Sequence, residues 1–241
     1  MVARPGAARA PEEGPIRAVT STLKSPIDPG IHTLIYQERR QRYALSVPPG
    51  YNGEETVPLV VALHWGGVVT PYYSQPFLEG LMEPALEELG ALIAAPDCQH
   101  GEWTNPQSES DVLALVDYLK VQFNIDKKRI ALTGYSKGGA GTWYLAARHQ
   151  ELFAAAIPVA GMPQADTPSF AWRIPLYVIH SQMDNVLPIL PTEIVVRELR
   201  KRGVKVEFDA IEGLPHYETG RYIPYIRKAV PWLGNVWAGQ E

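Results

Sequence analysis

Short apolar runs alternate with longer amphipathic stretches along most of the chain. Runs rich in branched apolar residues, as at 59–63 and 155–159, are typical of buried parallel strands. Stretches with apolar residues at helical spacing lie between them, as at 137–149. The pattern predicts strands near Ile31–Tyr36, Arg42–Val47, Leu59–Leu63, Ala91–Ala95, Arg129–Thr133, Ala155–Val159, Leu176–His180 and Val204–Phe208. It predicts helices near Gln75–Leu89, Ser108–Phe123, Lys137–His149, Leu190–Arg202 and Arg221–Trp232.

This alternation predicts an α/β fold, in which a mostly parallel eight-stranded sheet carries helices on both faces. The first two strands follow each other closely, which indicates an antiparallel hairpin at the start of the sheet. Only about a dozen residues separate Gly161 from Ile174, too few for a helical cap over the sheet edge. We therefore expect no cap domain and an open cleft.

A serine between glycines stands where a predicted strand meets a predicted helix. Ser136 is the centre of the sequence Gly-Tyr-Ser-Lys-Gly, directly after the strand at 129–133. Gly134 and Gly138 suit a sharp turn, because a β-carbon at either position would crowd the neighbouring chain. Such a turn exposes the serine hydroxyl beside the amides of a helix N-terminus. Ser136 is therefore the candidate nucleophile, with an ordinary turn serine as the alternative.

An acid and a base follow later in the chain, in the order expected for a serine hydrolase on such a turn. Asp184 comes four residues after the predicted strand that ends at His180, and His216 comes after the last predicted strand. His216 would take the proton of Ser136 while Asp184 orients the imidazole. Glu212 also follows a strand and is the competing acid. His180 itself is expected to be a structural histidine.

The same chemistry requires two backbone N–H donors for an oxyanion. The amide of Lys137 is one, since it follows the nucleophile directly. The other should come from the loop after the strand at 58–63, and we select Gly66, with the residue on either side as alternatives.

The segment from Asp126 to Gly161 resembles carboxylesterases and predicted peptidases of the α/β-hydrolase superfamily, close to feruloyl esterases and polyhydroxybutyrate-depolymerase-like esterases. The resemblance extends over about 42–233 and implies an α/β-hydrolase fold with esterase activity. Two positions depart from the family, which usually has His-Gly where this chain has His64-Trp65 and His180-Ser181. The first departure places an indole beside the proposed oxyanion loop.

Three aromatic residues lie on or beside loops at the predicted carboxyl edge of the sheet, where ligands bind in open α/β folds. We expect Trp65, Trp103 and Tyr135 to contact substrate, although aromatic side chains are more often part of a core. With no cap, an aromatic wall at Trp65 would favour short or aromatic acyl groups over long chains.

Composition agrees with one globular domain, which we assign to residues 16–241. The chain has 241 residues, of which 46% are hydrophobic, enough to bury a full core. Residues 1–15 contain no apolar run of seven or more, so we expect a disordered tail rather than a secretory signal. No stretch reaches the length of a membrane span, and we expect a cytoplasmic protein.

Charge and cysteine content exclude several other functions. The net charge is −4, which argues against a nucleic-acid partner. The single cysteine, Cys98, excludes an internal disulfide. Asp97, Cys98 and His100 could in principle bind a metal, but ligands packed within four residues rarely give tetrahedral geometry, so we expect no metal site.

The sequence thus predicts a serine hydrolase that acts on a small carboxylic ester through an acyl-enzyme and needs no cofactor. Two alternatives stay open. One is a serine peptidase on the same machinery, and the other is a ligand-binding relative that has lost turnover.

Overall fold

The computed structural model describes residues 27–239, which contain one eight-stranded sheet. The strands are β1 Gly30–Tyr36, β2 Gln41–Val47, β3 Val57–Leu63, β4 Leu92–Pro96, β5 Ile125–Tyr135, β6 Ala155–Val159, β7 Leu176–Ser181 and β8 Val206–Ile211. They lie in the order β1-β2-β4-β3-β5-β6-β7-β8. β2 is antiparallel to both β1 and β4, and the other neighbouring pairs are parallel. The predicted α/β class and entry hairpin are confirmed, while the predicted tail at 1–15 lies outside the described residues.

Helices cover both faces of the sheet. They are α1 Ser74–Phe77, α2 Glu83–Leu86, α3 Pro106–Gln122, α4 Lys137–Arg148, α5 Leu190–Lys201, α6 Ile223–Arg227 and α7 Ala229–Ala238. Those on one face (α3, α4 and α5) pack with Leu59, Val61 and Leu63 of β3, and those on the other (α1, α2, α6 and α7) pack with Val60 and Ala62. Successive side chains of this strand thus enter opposite cores, which explains its unbroken apolar sequence.

Prolines interrupt two of the predicted helices. The helix predicted near Gln75–Leu89 contains a π-helical turn, Leu78–Met82, between α1 and α2. Pro84 follows this turn and has no N–H to continue the regular hydrogen-bond ladder. The helix predicted near Arg221–Trp232 is divided into α6 and α7, and prolines again lie near the start of each part.

The last strand begins later than predicted. The sequence pattern predicts Val204 as the first residue of this strand. In the structure the Val204 N–H donates to the Leu199 carbonyl at 3.1 Å, so Val204 belongs to the end of α5. Gly203, with a φ of 82°, makes the turn out of that helix. β8 therefore starts at Val206.

No cap domain covers the sheet edge in the part of the chain that the structure describes. The connection between β6 and β7 is short and contains only the 3-10 turn Thr167–Ser169. This connection therefore has too few residues for a helical cap, as its length in the sequence predicts. Among residues 27–239 there is also no helix with the length and apolar character required to cross a bilayer.

A buried carboxylate ties the segment after β3 to the neighbouring strands. Asp97, directly after β4, accepts hydrogen bonds from the backbone N–H groups of Tyr72 at 2.8 Å and Ser74 at 3.0 Å. It also accepts one from the Ser74 hydroxyl at 2.9 Å and pairs with the Arg42 guanidinium at 3.1 Å. The loop at 64–73, which includes the predicted oxyanion donor, is therefore anchored at its far end.

Replacing Asp97 by Ala should lower the free energy of unfolding by about 3 kcal/mol, because buried donors and the Arg42 charge lose their acceptor. Asp117 is a matched control, since its side chain is 77% exposed and, within residues 27–239, pairs only with Lys120 on the same helix. Asp117→Ala should change the unfolding free energy by less than about 0.5 kcal/mol. Urea titration measures both values, and equal effects would show that the Asp97 network does not stabilise the fold.

Candidate active site

The turn between β5 and α4 holds Ser136 in a strained backbone conformation. Its φ is 57° and its ψ is −115°, a combination that residues with a side chain rarely adopt. The Ser136 N–H donates to the Val159 carbonyl of β6 at 2.9 Å, which holds the turn against the adjacent strand. The side chain is partly exposed at the carboxyl edge of the sheet, as expected for a serine on a sharp strand-to-helix turn.

Gly134 and Gly138 permit this turn because the backbone passes very close to both. A β-carbon on Gly134 would collide with the carbonyl group of Gly138, and one on Gly138 would overlap the Leu63 carbonyl at the end of β3. The predicted crowding at these two positions is confirmed.

Three side chains from three different loops meet at this edge. His216 Nε2 lies 2.8 Å from Ser136 Oγ, and His216 Nδ1 lies 2.6 Å from Asp184 Oδ2. An ionised Asp184 can only accept, so Nδ1 carries the proton and Nε2 is free to accept from the serine hydroxyl. His216 is only 2% exposed and Asp184 7%, so this hydrogen-bonded chain is largely shielded from water.

The loop after β7 fixes the direction of Asp184. Its other carboxylate oxygen accepts hydrogen bonds from the N–H groups of Val186 at 2.9 Å and Leu187 at 2.7 Å. Glu212, the competing acid, lies exposed on the loop after β8. The structure thus brings Asp184, and not Glu212, to the histidine.

His180 supports the same loop from inside the protein. It is fully buried, and its Nε2 lies 2.8 Å from the Leu187 carbonyl while Nδ1 lies 3.0 Å from the Thr192 hydroxyl. Burial lowers the pKa of His180, so the ring is neutral, donates to Leu187 and accepts from Thr192. This placement agrees with the expectation of a structural histidine.

Tyr135 and Trp65, two of the predicted substrate contacts, do not line the cleft. Tyr135 is buried behind the histidine, and its hydroxyl donates to the His216 backbone carbonyl. Burial raises the pKa of Tyr135, so this hydroxyl remains a donor. Trp65 is half-buried and packs edge-on against Phe77, with ring centroids 5.1 Å apart, so that it covers the core on the α1 and α2 face.

The two predicted oxyanion donors, Gly66 and Lys137, line the same cleft as Ser136. Lys137 begins α4, so its N–H belongs to the first helical turn, where amides have no acceptor within the helix. Gly66 is exposed and lies against the Lys137 side chain, since a β-carbon on Gly66 would stand 3.4 Å from Lys137 Cε. The Lys137 ammonium is turned toward Glu102, which it contacts at 2.8 Å.

An open cleft of about 670 Å³ surrounds these groups and combines apolar and charged walls. Trp103, the third predicted aromatic, borders this cleft but is only 1% exposed, so its ring belongs to the core, and its indole N–H donates to the His64 carbonyl at 2.9 Å. The lining residues are Gly66, Glu102, Trp103, Thr104, Ser136, Lys137, Ala140, Tyr144, Arg148, Met162, Pro163, Gln164, Asp166, Val186 and Leu187.

One wall of the cleft was missed by the sequence analysis. Tyr144 and Arg148 lie on α4 beyond the serine, with the Arg148 guanidinium 3.8 Å from the centre of the Tyr144 ring. Arg148 also pairs with Asp166 at 3.2 Å. The sequence does contain a signal for this wall. Positions 137, 140, 144 and 148 are three or four residues apart, so they share the face of α4 that begins beside Ser136.

The region around Cys98 has other roles. Between residues 27 and 239 there is no group of three His, Cys, Asp or Glu side chains arranged to hold a metal ion. Burial raises the pKa of the Cys98 thiol, which disfavours the reactive thiolate.

The sheet order and the strand-to-helix turn at Ser136 define an α/β-hydrolase fold. Comparison with known families then gives a specific assignment. The profile of the dienelactone hydrolase family matches residues 98–229, more than half of the chain. This protein belongs to that family.

Individual relatives include proteins named as esterases. The chain is 29% identical over 155 residues to a probable feruloyl esterase C of Aspergillus terreus, covering 62% of this chain but only 57% of that protein. A solved thermostable esterase superposes with a TM-score of 0.72 at 29% identity, over 85% of this chain and 62% of the other. FphF, a fluorophosphonate-binding serine hydrolase of Staphylococcus aureus, has a TM-score of 0.69 over 85% of this chain and 98% of its own, but at 16% identity this likeness concerns the fold alone.

Proposed function

We propose that this protein is a serine hydrolase that cleaves carboxylic esters through an acyl-enzyme. The observation that carries the proposal is the continuous chain of short hydrogen bonds, 2.8 Å and 2.6 Å, from Ser136 through His216 to Asp184. Family membership and the named esterases among its relatives support the same reaction class.

In the first half-reaction Ser136 Oγ attacks the ester carbonyl carbon while His216 Nε2 accepts the hydroxyl proton. Asp184 stabilises the imidazolium that forms and holds it in place. The tetrahedral intermediate collapses as His216 returns the proton to the leaving alcohol, which leaves an acyl group on Ser136. Water then attacks the acyl-enzyme with His216 as the base, and the acid is released.

The oxyanion would be bound by the backbone amides of Lys137 and Gly66. Both residues line the cleft beside Ser136. The proposed donors are backbone N–H groups, so their hydrogen bonds to the oxyanion do not depend on a charged side chain. Each such donor typically contributes about 2.7–4 kcal/mol to transition-state stabilisation. The mechanism uses only groups of the protein and water, and we propose no cofactor.

The cleft favours compact substrates. Its walls supply apolar contact from Met162, Val186 and Leu187, yet polar groups interrupt this surface throughout. A long flexible acyl chain would leave many methylene groups in water, whereas a short or aromatic acyl group can be held near the serine. We propose a small-molecule ester with such an acyl group as the substrate.

Replacing either Ser136 or His216 by Ala should lower kcat for a p-nitrophenyl ester by about four to six orders of magnitude, because the members of a triad act as one unit. A fluorophosphonate probe should label the unaltered protein and not Ser136→Ala, and circular dichroism should show that both variants fold. Near-normal turnover by either variant would refute the assignment. A folded, unlabelled and inactive unaltered protein would favour the ligand-binding alternative.

The orienting acid can be identified by a matched pair of substitutions. Asp184→Asn should lower kcat by about 10⁴-fold, because an amide no longer selects the required imidazole tautomer. Glu212→Gln removes an exposed charge on the loop that also carries His216, and it should change kcat by less than about twofold. Steady-state kinetics compares the two variants, and the reverse order would transfer the role to Glu212.

A panel of p-nitrophenyl esters tests the proposed acyl preference. We expect kcat/KM to stop rising beyond about four to six acyl carbons, because each further methylene that stays in water gains none of the about 0.8 kcal/mol of transfer free energy that burial provides. Feruloyl and aminoacyl-anilide substrates belong in the same panel. Preference for chains of twelve or more carbons would contradict the proposal, and faster cleavage of the anilides than of the esters would favour a peptidase.

A further inference from the structure

Three consecutive carbonyl groups in the loop after β3 are each held by a different side chain. We call residues 64–67 the oxyanion loop. The His64 carbonyl accepts from the Trp103 indole at 2.9 Å, the Trp65 carbonyl from His64 Nδ1 at 2.6 Å, and the Gly66 carbonyl from the Tyr73 hydroxyl at 2.9 Å. Backbone carbonyls in an exposed loop usually bind water, so this series of side-chain donors controls the orientation of successive peptides.

Each fixed carbonyl determines where the next amide points. The described residues contain no cis peptide bond, and in a trans peptide the C=O and the following N–H point in opposite directions. Trp103 therefore sets the direction of the Trp65 amide, His64 that of the Gly66 amide, and Tyr73 that of the Gly67 amide.

His64 is suited to this task because its tautomer is determined by its partners. Its Nε2 accepts the Cys98 backbone N–H at 3.0 Å, so in the neutral ring the proton must lie on Nδ1, which donates to the Trp65 carbonyl. Burial lowers the pKa of His64, which keeps the ring neutral.

The position of the ring decides the direction of the amide. The His64 side chain is 1% exposed and packs edge-on against the rings of Tyr73 and Trp103, at centroid distances of 4.9 Å and 5.0 Å. The Trp65 carbonyl is thus drawn inward, toward this ring. The Gly66 N–H must then point outward, and Gly66 lines the cleft beside Ser136.

We infer that His64 is a positioning residue, which holds the Trp65 carbonyl inward so that the Gly66 amide faces the oxyanion formed at Ser136. The inference rests on the proposed esterase function. Without the Nδ1 donor, the peptide between Trp65 and Gly66 can rotate and present its carbonyl instead of its N–H to the oxyanion.

Two amide substitutions at position 64 separate positioning from packing. An Asn side chain can place its NH₂ near the position of Nδ1 and donate to the Trp65 carbonyl, whereas a Gln side chain reaches the position of Nε2 and leaves that carbonyl without its donor. We expect His64→Gln to lower kcat by about 10²-fold, as for the loss of one oxyanion donor, with KM changed by less than about threefold. His64→Asn should retain kcat within about tenfold of the unaltered protein.

Tyr73→Phe is the matched control, because it removes only the hydrogen bond to the Gly66 carbonyl and should change kcat by less than about threefold. Thermal unfolding of all variants shows whether they fold. Equal losses of kcat in folded His64→Asn and His64→Gln overturn the inference, and so does a larger loss in Tyr73→Phe. If His64→Gln does not fold, a 10²-fold loss in folded His64→Asn also overturns it, whereas retained activity supports it.

The proposed function can fail separately from the inference. Absence of Ser136-dependent turnover in the unaltered protein overturns both. An active protein in which His64→Gln is as fast as His64→Asn overturns the positioning role of His64 alone.

Discussion

The close approach of α4 to the end of β3 is the constraint on which the candidate site depends. Gly138 lies so near the Leu63 carbonyl that no side chain fits between them. This contact brings the first turn of α4, with the Lys137 amide, against the loop that continues from β3 to Gly66. The serine and both proposed oxyanion donors therefore share one small region, and the strained conformation of Ser136 is held by packing rather than by its own preference.

The other half of the site is built by loops whose orientation is fixed by buried hydrogen bonds. Asp184 is oriented by two backbone amides, and His216 is held through its carbonyl by Tyr135 and through its ring by Asp184. Polar groups fixed in this way need little rearrangement when charge develops during a reaction. By contrast, the ion pairs at the cleft rim, such as that of Lys137 with Glu102, are partly exposed and contribute little to stability.

The sequence predicted those parts of the site that chain order determines. Ser136, Asp184 and His216 each follow a strand, and parallel strands present their carboxyl ends at one edge, so their meeting could be expected. Tyr135 and Trp65 also lie at this edge, but position at an edge does not tell which face of the sheet a side chain enters. Tyr135 lies four residues after Ala131 on β5, so both side chains point to the same face of the sheet, and that face is buried in the core.

Element boundaries were less predictable than element types. Apolar residues follow helical spacing throughout 75–89 and 221–232, yet prolines divide both segments. A proline has no backbone N–H, so it interrupts the helical hydrogen bonds without changing the apolar face of the segment. The hydrogen bonds of the oxyanion loop could not be predicted at all. The Trp103 indole and the Cys98 N–H, which bind the carbonyl and the ring of His64, are distant in the sequence and meet His64 only in the folded chain. The local bond from His64 to the Trp65 carbonyl depends on the ring position that they fix.

Mass spectrometry of the acylated protein tests the central claim most directly. After rapid mixing with p-nitrophenyl acetate and acid quench, the account predicts a gain of one acetyl group, located by proteolysis on Ser136 and absent from Ser136→Ala. An equal gain in Ser136→Ala, or an acetyl group found only on another residue such as Lys137, would contradict the acyl-enzyme on Ser136 and with it the role assigned to this residue.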